Sequence, residues 1–185
     1  MVRRQLQRGR ATWQKPERVL RAFGVRRGQV IADVGAGPGF WTIPLARRVG
    51  RRGHVFALDP EPAALDVLRR RLAKAGVRNV TPVLNDDRAA MLPEAACDLA
   101  VIVNVYHHFA EPATFLKDIV RCLKREGRLV NIDWADRDTP KGPPARRRIA
   151  PTVFLRHARR AGLELVAEHR FLPYQYFLVL RRAGR

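Results

Sequence analysis

The chain has little cysteine, only Cys97 and Cys122 in 185 residues. Two thiols make no disulfide framework, and nothing around them resembles a paired set of metal ligands. They also argue against thiol-based metalloid chemistry, which needs several positioned soft ligands. Long apolar runs are missing too. The longest, near Leu99 to Val103, is far too short to span a bilayer. The basic opening MVRRQLQRGR lacks the apolar stretch of a secretory signal. A soluble cytoplasmic protein with no membrane contact and no metal is the expectation. Acidic residues are also scarce, since 17 Asp and Glu against 36 Lys and Arg leave a formal charge of +19. Such a balance invites nucleic acid, because clustered cations neutralise phosphates and release counterions. The basic residues are nearly all arginines, however, scattered as pairs and triplets from Arg3–Arg4 to Arg181–Arg182, and no RNA-recognition signature appears. Weak nucleic-acid binding without sequence preference follows. Charge of this kind speaks to affinity, not to fold or chemistry.

What is present is a strict alternation of strand and helix. Strands are predicted at about 29–34, 53–58, 79–84, 98–104, 127–133, 163–170 and 174–181. Helices are predicted at about 39–49, 61–75, 110–124 and 151–161, with Pro16 opening an earlier one that Gly24 closes. The run DLAVIVNV is apolar throughout, as a strand buried on both faces requires. A short turn at Leu172 and Pro173 makes the last two strands antiparallel. The fold class is α/β, a Rossmann-like doubly wound sheet of seven strands with an antiparallel last strand, in one domain. Residues 1–28 form a helical lead-in, and the Pro-rich segment 135–149 is expected as a mobile loop over the site.

The stretch VIADVGAGPGFWTIPLA, Val30 to Ala46, runs from strand through a glycine turn into helix. It is not the dinucleotide pattern, because Phe40 stands where that fingerprint needs its third glycine. Asp33 at the strand end would repel a pyrophosphate and favour a cation such as an α-amino group. The second strand ends in Asp59, twenty residues beyond Gly39, where one carboxylate can accept from both ribose hydroxyls. Asp59-Pro60-Glu61 also suits a helix start, and the two roles are compatible. A ligand with a ribose and an amino group but no phosphate is S-adenosylmethionine.

Five segments then carry a resemblance. They are WQKPERVL from Trp13, ADVGAGPGFWTIPLA from Ala32, CDLAVIVNVYHHF from Cys97, GRLVNIDW from Gly127 and LPYQYFLVL from Leu172. In this order they resemble class I S-adenosylmethionine-dependent methyltransferases, in particular a bacterial set of predicted methyltransferases, over nearly the whole chain. The resemblance implies that Asp33, Gly35, Gly37 and Gly39 hold the amino-acid end of the cofactor, Asp59 the ribose, and Pro60 lies beside the adenine. It places an acidic reader of the adenine amine after the third strand, at Asp87 or Asp86, either of which would otherwise cap a turn. Asn104 ends the fourth strand, where its backbone carbonyl would accept from the methionine amine.

The sequence NVYHHF, from Asn104 to Phe109, falls at the mouth where the methyl group points. The paired prolines that base N-methylating enzymes carry here are absent, so adenine or cytosine N-methylation is not expected. His107 or His108 can serve as a base, since imidazole titrates near pH ~6.5. The expected catalytic pair is His107, positioning or deprotonating the nucleophile, and Tyr106, shaping the pocket. Asp133 and Gln175 complete a polar wall. Alternatively, the two histidines simply pack against and cap the next helix. Three functions compete: a methyltransferase of a small molecule, one of RNA or a ribosome-associated protein, and an S-adenosylmethionine-binding protein without catalysis.

Overall fold

A computed structural model describes residues 9–86 and 88–184. Two short helices lead in, α1 (Arg10–Gln14) and α2 (Pro16–Ala22), followed by β1 (Val30–Val34), α3 (Thr42–Val49), β2 (His54–Asp59), α4 (Pro62–Ala75) and β3 (Val80–Leu84). Then come β4 (Cys97–Val103), α5 (Pro112–Cys122), β5 (Leu123–Trp134), α6 (Pro151–Arg160), β6 (Leu163–Glu168) and β7 (Gln175–Arg182). The strands form one seven-stranded sheet in the order β3-β2-β1-β4-β5-β7-β6. β7 runs antiparallel to both of its neighbours, and the other neighbouring pairs are parallel.

Period-two alternation sorts the side chains of the central strands into two layers. On one face Ala100 and Ile102 of β4 and Leu129 of β5 join Phe115, Ile119 and Phe154 of α5 and α6. On the other, Leu99, Val101 and Val130 meet Phe23, Leu45 and Val49. Both cysteines are buried, and the Cys122 thiol donates to the Leu92 carbonyl at 3.6 Å.

Three boundaries depart from the sequence-based expectation. The first helix after β1 starts at Thr42, not near 39, because Gly39 adopts a left-handed φ of 84° that no helix continues. α5 ends at Cys122 and passes directly into β5, which begins at Leu123 instead of near 127. Leu123 is fully buried and pairs with Cys97, and a Lys124–Asp98 ion pair at 2.8 Å secures the junction. β6 stops at Glu168, two residues early. The segment expected to be a mobile loop is held by two arginines, and Arg137 Nη2 donates to the Pro173 carbonyl at 2.7 Å. Arg148 donates from Nε to the Pro143 carbonyl and from Nη1 to that of Ala135, both at 2.8 Å. Its guanidinium also lies 5.9 Å from the centre of the Trp134 ring.

Candidate active site

In an open sheet of this kind, ligands meet the carboxyl ends of the strands where the strand order reverses. Here that point lies between β1 and β4, which are adjacent although β2 and β3 intervene in sequence. Asp33, the penultimate residue of β1, is 2 % exposed. The Thr42 hydroxyl donates to its Oδ2 at 2.6 Å. Burial pushes the Asp33 carboxyl up to about 7; the Thr42 bond and Arg10 oppose this, and nearby Asp59 adds to it. A buried carboxylate so perturbed is a place that favours a cation.

The glycine turn follows. Gly35, Gly37 and Gly39 take φ values of 71°, 54° and 84°, a region in which a side chain is strained. Space is tight as well, since a Cβ on Gly35 would stand 2.3 Å from the Val105 side chain and one on Gly39 2.4 Å from a Leu68 methyl, so a neighbour would have to shift. The turn also arranges the next carboxylate. Asp59 Oδ2 accepts from the Gly37 N–H at 2.7 Å, and Oδ1 from the Glu61 N–H at 3.0 Å. Burial raises the Asp59 pKa, and these two bonds offset part of the rise. Pro60 beside it is exposed.

After β3 the picture changes. Asp86 is exposed and caps its own turn, its Oδ1 accepting from the N–H groups of Arg88 at 2.8 Å and Ala89 at 2.7 Å. Those bonds hold its pKa low. Asp87 lies outside the described residues. The buried polar group here is Asn85, 7 % exposed, which sequence reasoning passed over. Its amide nitrogen donates to the Asp86 carbonyl at 2.5 Å and to that of Ala89 at 3.4 Å. Its Oδ1 is buried without a partner among the described residues.

At the end of β4, Asn104 is left-handed with φ 60° and donates its N–H to the Ile132 carbonyl at 2.7 Å. Its side-chain oxygen accepts from Gln175 Nε2 at 2.5 Å, leaving Gln175 Oε1 buried and unpartnered among the described residues. His107 sits in a one-turn 3-10 helix, with Nδ1 2.8 Å from Asp133 Oδ1, while its backbone N–H donates to Asp133 Oδ2 at 3.2 Å. Asp133 is 1 % exposed, and its Oδ1 also accepts from the Trp134 N–H at 2.8 Å. A carboxylate only accepts, so Nδ1 carries a proton, and in the neutral form of the ring the lone pair is then on Nε2. His108 is exposed, its ring 4.1 Å from that of His107. Tyr106 is fully buried, with its hydroxyl 2.9 Å from His157 Nδ1 and its ring edge-on to Phe154. Tyr106 therefore supports the turn that carries His107 from the core side.

Helix α1 adds residues that the sequence marked only through the WQ of its motif. Trp13 lies 5.2 Å from the Trp134 ring and 6.1 Å from that of Tyr174. Arg10 donates to Gln14 Oε1 and stands 4.1 Å over the Phe40 ring. Gln14 is fully buried.

This architecture is shared with known proteins. A solved structure of an S-adenosylmethionine-dependent methyltransferase from Aquifex aeolicus superposes with a TM-score of 0.93 at 25 % identity, over 98 % of this chain and 97 % of that one. A demethylmenaquinone methyltransferase of Listeria monocytogenes is 27 % identical over 128 residues, which are 69 % of this chain and 53 % of that protein. A ubiquinone/menaquinone biosynthesis C-methyltransferase of Citrobacter koseri is 32 % identical over 113 residues, 60 % of this chain and 45 % of its own length. The chain thus spans about half the length of the curated relatives it matches. A family model described as a methyltransferase domain matches residues 31–127, the stretch that carries Asp33, the glycine turn, Asp59 and His107. Since that match covers more than half of the sequence, and fold and glycine turn agree with it, the chain belongs to this family, the class I methyltransferases that use S-adenosylmethionine.

Proposed function

We propose that the protein methylates a small molecule bearing an acidic ring hydroxyl, such as a phenol or quinol, and that His107 takes the hydroxyl proton. The observation that carries this reading is the His107–Asp133 pair. Asp133 fixes the ring and its tautomer, so Nε2 is the proton acceptor, and the buried carboxylate stabilises the imidazolium that forms. The activity of the quinone-methylating relatives supports a hydroxylated ring as acceptor, because loss of a phenolic proton raises the nucleophilicity of both the oxygen and the ring carbons. Gln175 and Asn104 form the polar side of the acceptor site, and Trp13, Trp134 and Tyr174 its aromatic side.

The cofactor residues fit S-adenosylmethionine, which supplies an electrophilic methyl group on a sulfonium. Asp33 and the Asn104 carbonyl receive the α-amine, and the turn at Gly35, Gly37 and Gly39 lines the amino-acid end. Asp59, pre-oriented by Gly37 and Glu61, accepts from the ribose hydroxyls. Pro60 flanks the adenine. Asn85 Oδ1, buried and without a partner among the described residues, accepts from the adenine amine, in preference to the exposed Asp86 carboxylate. Segment 135–149 borders the acceptor site through Trp134.

The test is transfer of labelled methyl from S-adenosylmethionine to three substrate pools: ring-hydroxylated small molecules, total RNA and ribosomal protein. Label in the small-molecule pool, lost in His107→Ala, supports the reading. Label confined to RNA or protein sinks it.

A further inference from the structure

At the edge of the sheet opposite the cofactor residues, two adjoining cavities of about 750 and 390 Å³ share Gly50 and Arg51. Gly53 and Asn79, just ahead of β2 and β3, mark this edge as the amino end of the strands. The first cavity is bordered by Arg47, Arg51 and Arg78, the second by Arg27, Arg51 and Arg52, and no acidic or aromatic residue lines either one. These five arginines are exposed, and no ion pair engages them among the described residues.

Arginines near helix C-termini usually satisfy the last carbonyls and offset the helix dipole. That work is done here by other groups. Asn79 Nδ2 donates to the carbonyls of Ala46 at 2.9 Å and Gly50 at 3.0 Å, at the end of α3. At the end of α4, left-handed Gly76 donates to the Ala73 carbonyl at 3.1 Å and Val77 to that of Leu72 at 3.0 Å. The arginines that line the concavities are therefore not needed to cap these helix ends.

We propose that this arginine-lined track binds the phosphodiester backbone of single-stranded RNA. Two connected concavities with cations spaced along them suit a strand of repeated phosphates better than a single anion, which needs donors converging on one point. The charged lining is arginine alone, so contacts are to phosphates, which carry no sequence information, and binding is indifferent to sequence. The track lies across the sheet from Asp33, Asp59 and His107, so a strand held there is a partner and not the methyl acceptor. This assignment does not rest on the nature of the acceptor.

The experiment uses fluorescence anisotropy with a labelled 12-mer of polyuridine and, as competitor, inorganic tripolyphosphate, over a range of salt. The triple variant Arg47→Gln, Arg51→Gln, Arg78→Gln is compared with Arg156→Gln, Arg159→Gln, Arg160→Gln on α6, which removes equal charge elsewhere. With about 0.7 of log–log salt slope per phosphate contact, the track variant should lose roughly two from the slope and at least about ten-fold in affinity. The α6 variant should lose less than about three-fold. Unchanged melting temperature and S-adenosylhomocysteine affinity verify that both variants fold, and Arg51→Glu alone serves as a milder second probe. Equal losses in the two triples would overturn the proposal in favour of diffuse charge. Tight tripolyphosphate binding at the track without RNA binding would overturn the choice of occupant.

Discussion

His107 Nδ1 stands 2.8 Å from Asp133 Oδ1, and the same carboxylate accepts the His107 backbone N–H at 3.2 Å through Oδ2. One buried side chain therefore fixes both the main chain and the ring of a residue 26 positions away. The arrangement follows from adjacency in the sheet. β4 and β5 end side by side, so the turn after β4 meets the last residues of β5. An imidazole so held needs no reorganisation before it accepts a proton.

The first prediction concerns this pair. His107→Ala should lower turnover by about 10²–10⁴-fold with little change in acceptor KM, the usual range for a positioned base. The pH profile of turnover should change when the ring is removed. Asp133→Asn should keep the ring in place but weaken stabilisation of the imidazolium, losing turnover at every pH. An unchanged pH profile in His107→Ala would assign the pair to structure alone, with alignment of the reactants driving transfer.

Asp33 gives a prediction about protons. Its pKa is raised from 3.8 to about 7 by burial, so the folded apo protein disfavours its charged form. A raised folded pKa means that this contribution to stability is full below pH 3.8 and declines as pH rises to about 7. The whole change corresponds to roughly 4 kcal/mol as an upper bound, at 1.36 kcal/mol per pKa unit. Asp33→Asn should remove that slope from the pH dependence of melting. A cationic amine beside Asp33 favours the carboxylate, so S-adenosylhomocysteine binding near pH 6 should release a proton. Calorimetry in buffers of different ionisation enthalpy measures it, and proton uptake would contradict the assignment.

Much of this was legible because the determinants are local. Glycines at left-handed positions, Asp59 before a Pro-started helix and the apolar run of β4 each declare themselves within a few residues. The antiparallel β7 was legible from the short turn at Pro173. What escaped depended on contacts distant in sequence. Nothing near Leu123 signals that its pairing with Cys97 starts β5 directly from the helix. Arg148 reads as one of a charged triplet, yet it fastens the 135–149 segment through carbonyls up to 13 residues away. Asn85 was hidden by the two aspartates beside it, since acidic residues attract a ligand-binding reading and a buried amide does not. Tyr106 was expected at the pocket and lies in the core, because the 3-10 turn directs neighbouring residues to different sides.

Asp59 should carry much of the cofactor affinity. Asp59→Ala removes the proposed ribose acceptor and the acceptor of the Gly37 N–H, so the loss should be about 1.5–3 kcal/mol, the range for hydrogen bonds to a charged group. Titration with S-adenosylhomocysteine reads it directly, and NAD should not bind to either protein. Wild-type affinity in the variant would remove the ribose role.

The last prediction separates Asn85 from Asp86 as the reader of adenine. Asn85 Nδ2 is spent on two backbone carbonyls, which leaves Oδ1, without a partner among the described residues, as an acceptor. An adenine amine donates to such an atom, whereas the carbonyl of hypoxanthine opposes it with a second acceptor. Wild type should therefore prefer S-adenosylhomocysteine over its inosine counterpart by about 1–3 kcal/mol, the cost of an unsatisfied buried polar group. Asn85→Ala should erase most of that preference. Asp86→Ala should keep it, losing instead the turn bonds to Arg88 and Ala89 and with them some melting temperature. The ratio of the two affinities is the decisive readout, because a general loosening of the turn weakens both ligands alike. A preference that survives Asn85→Ala and vanishes in Asp86→Ala would return the role to the aspartate.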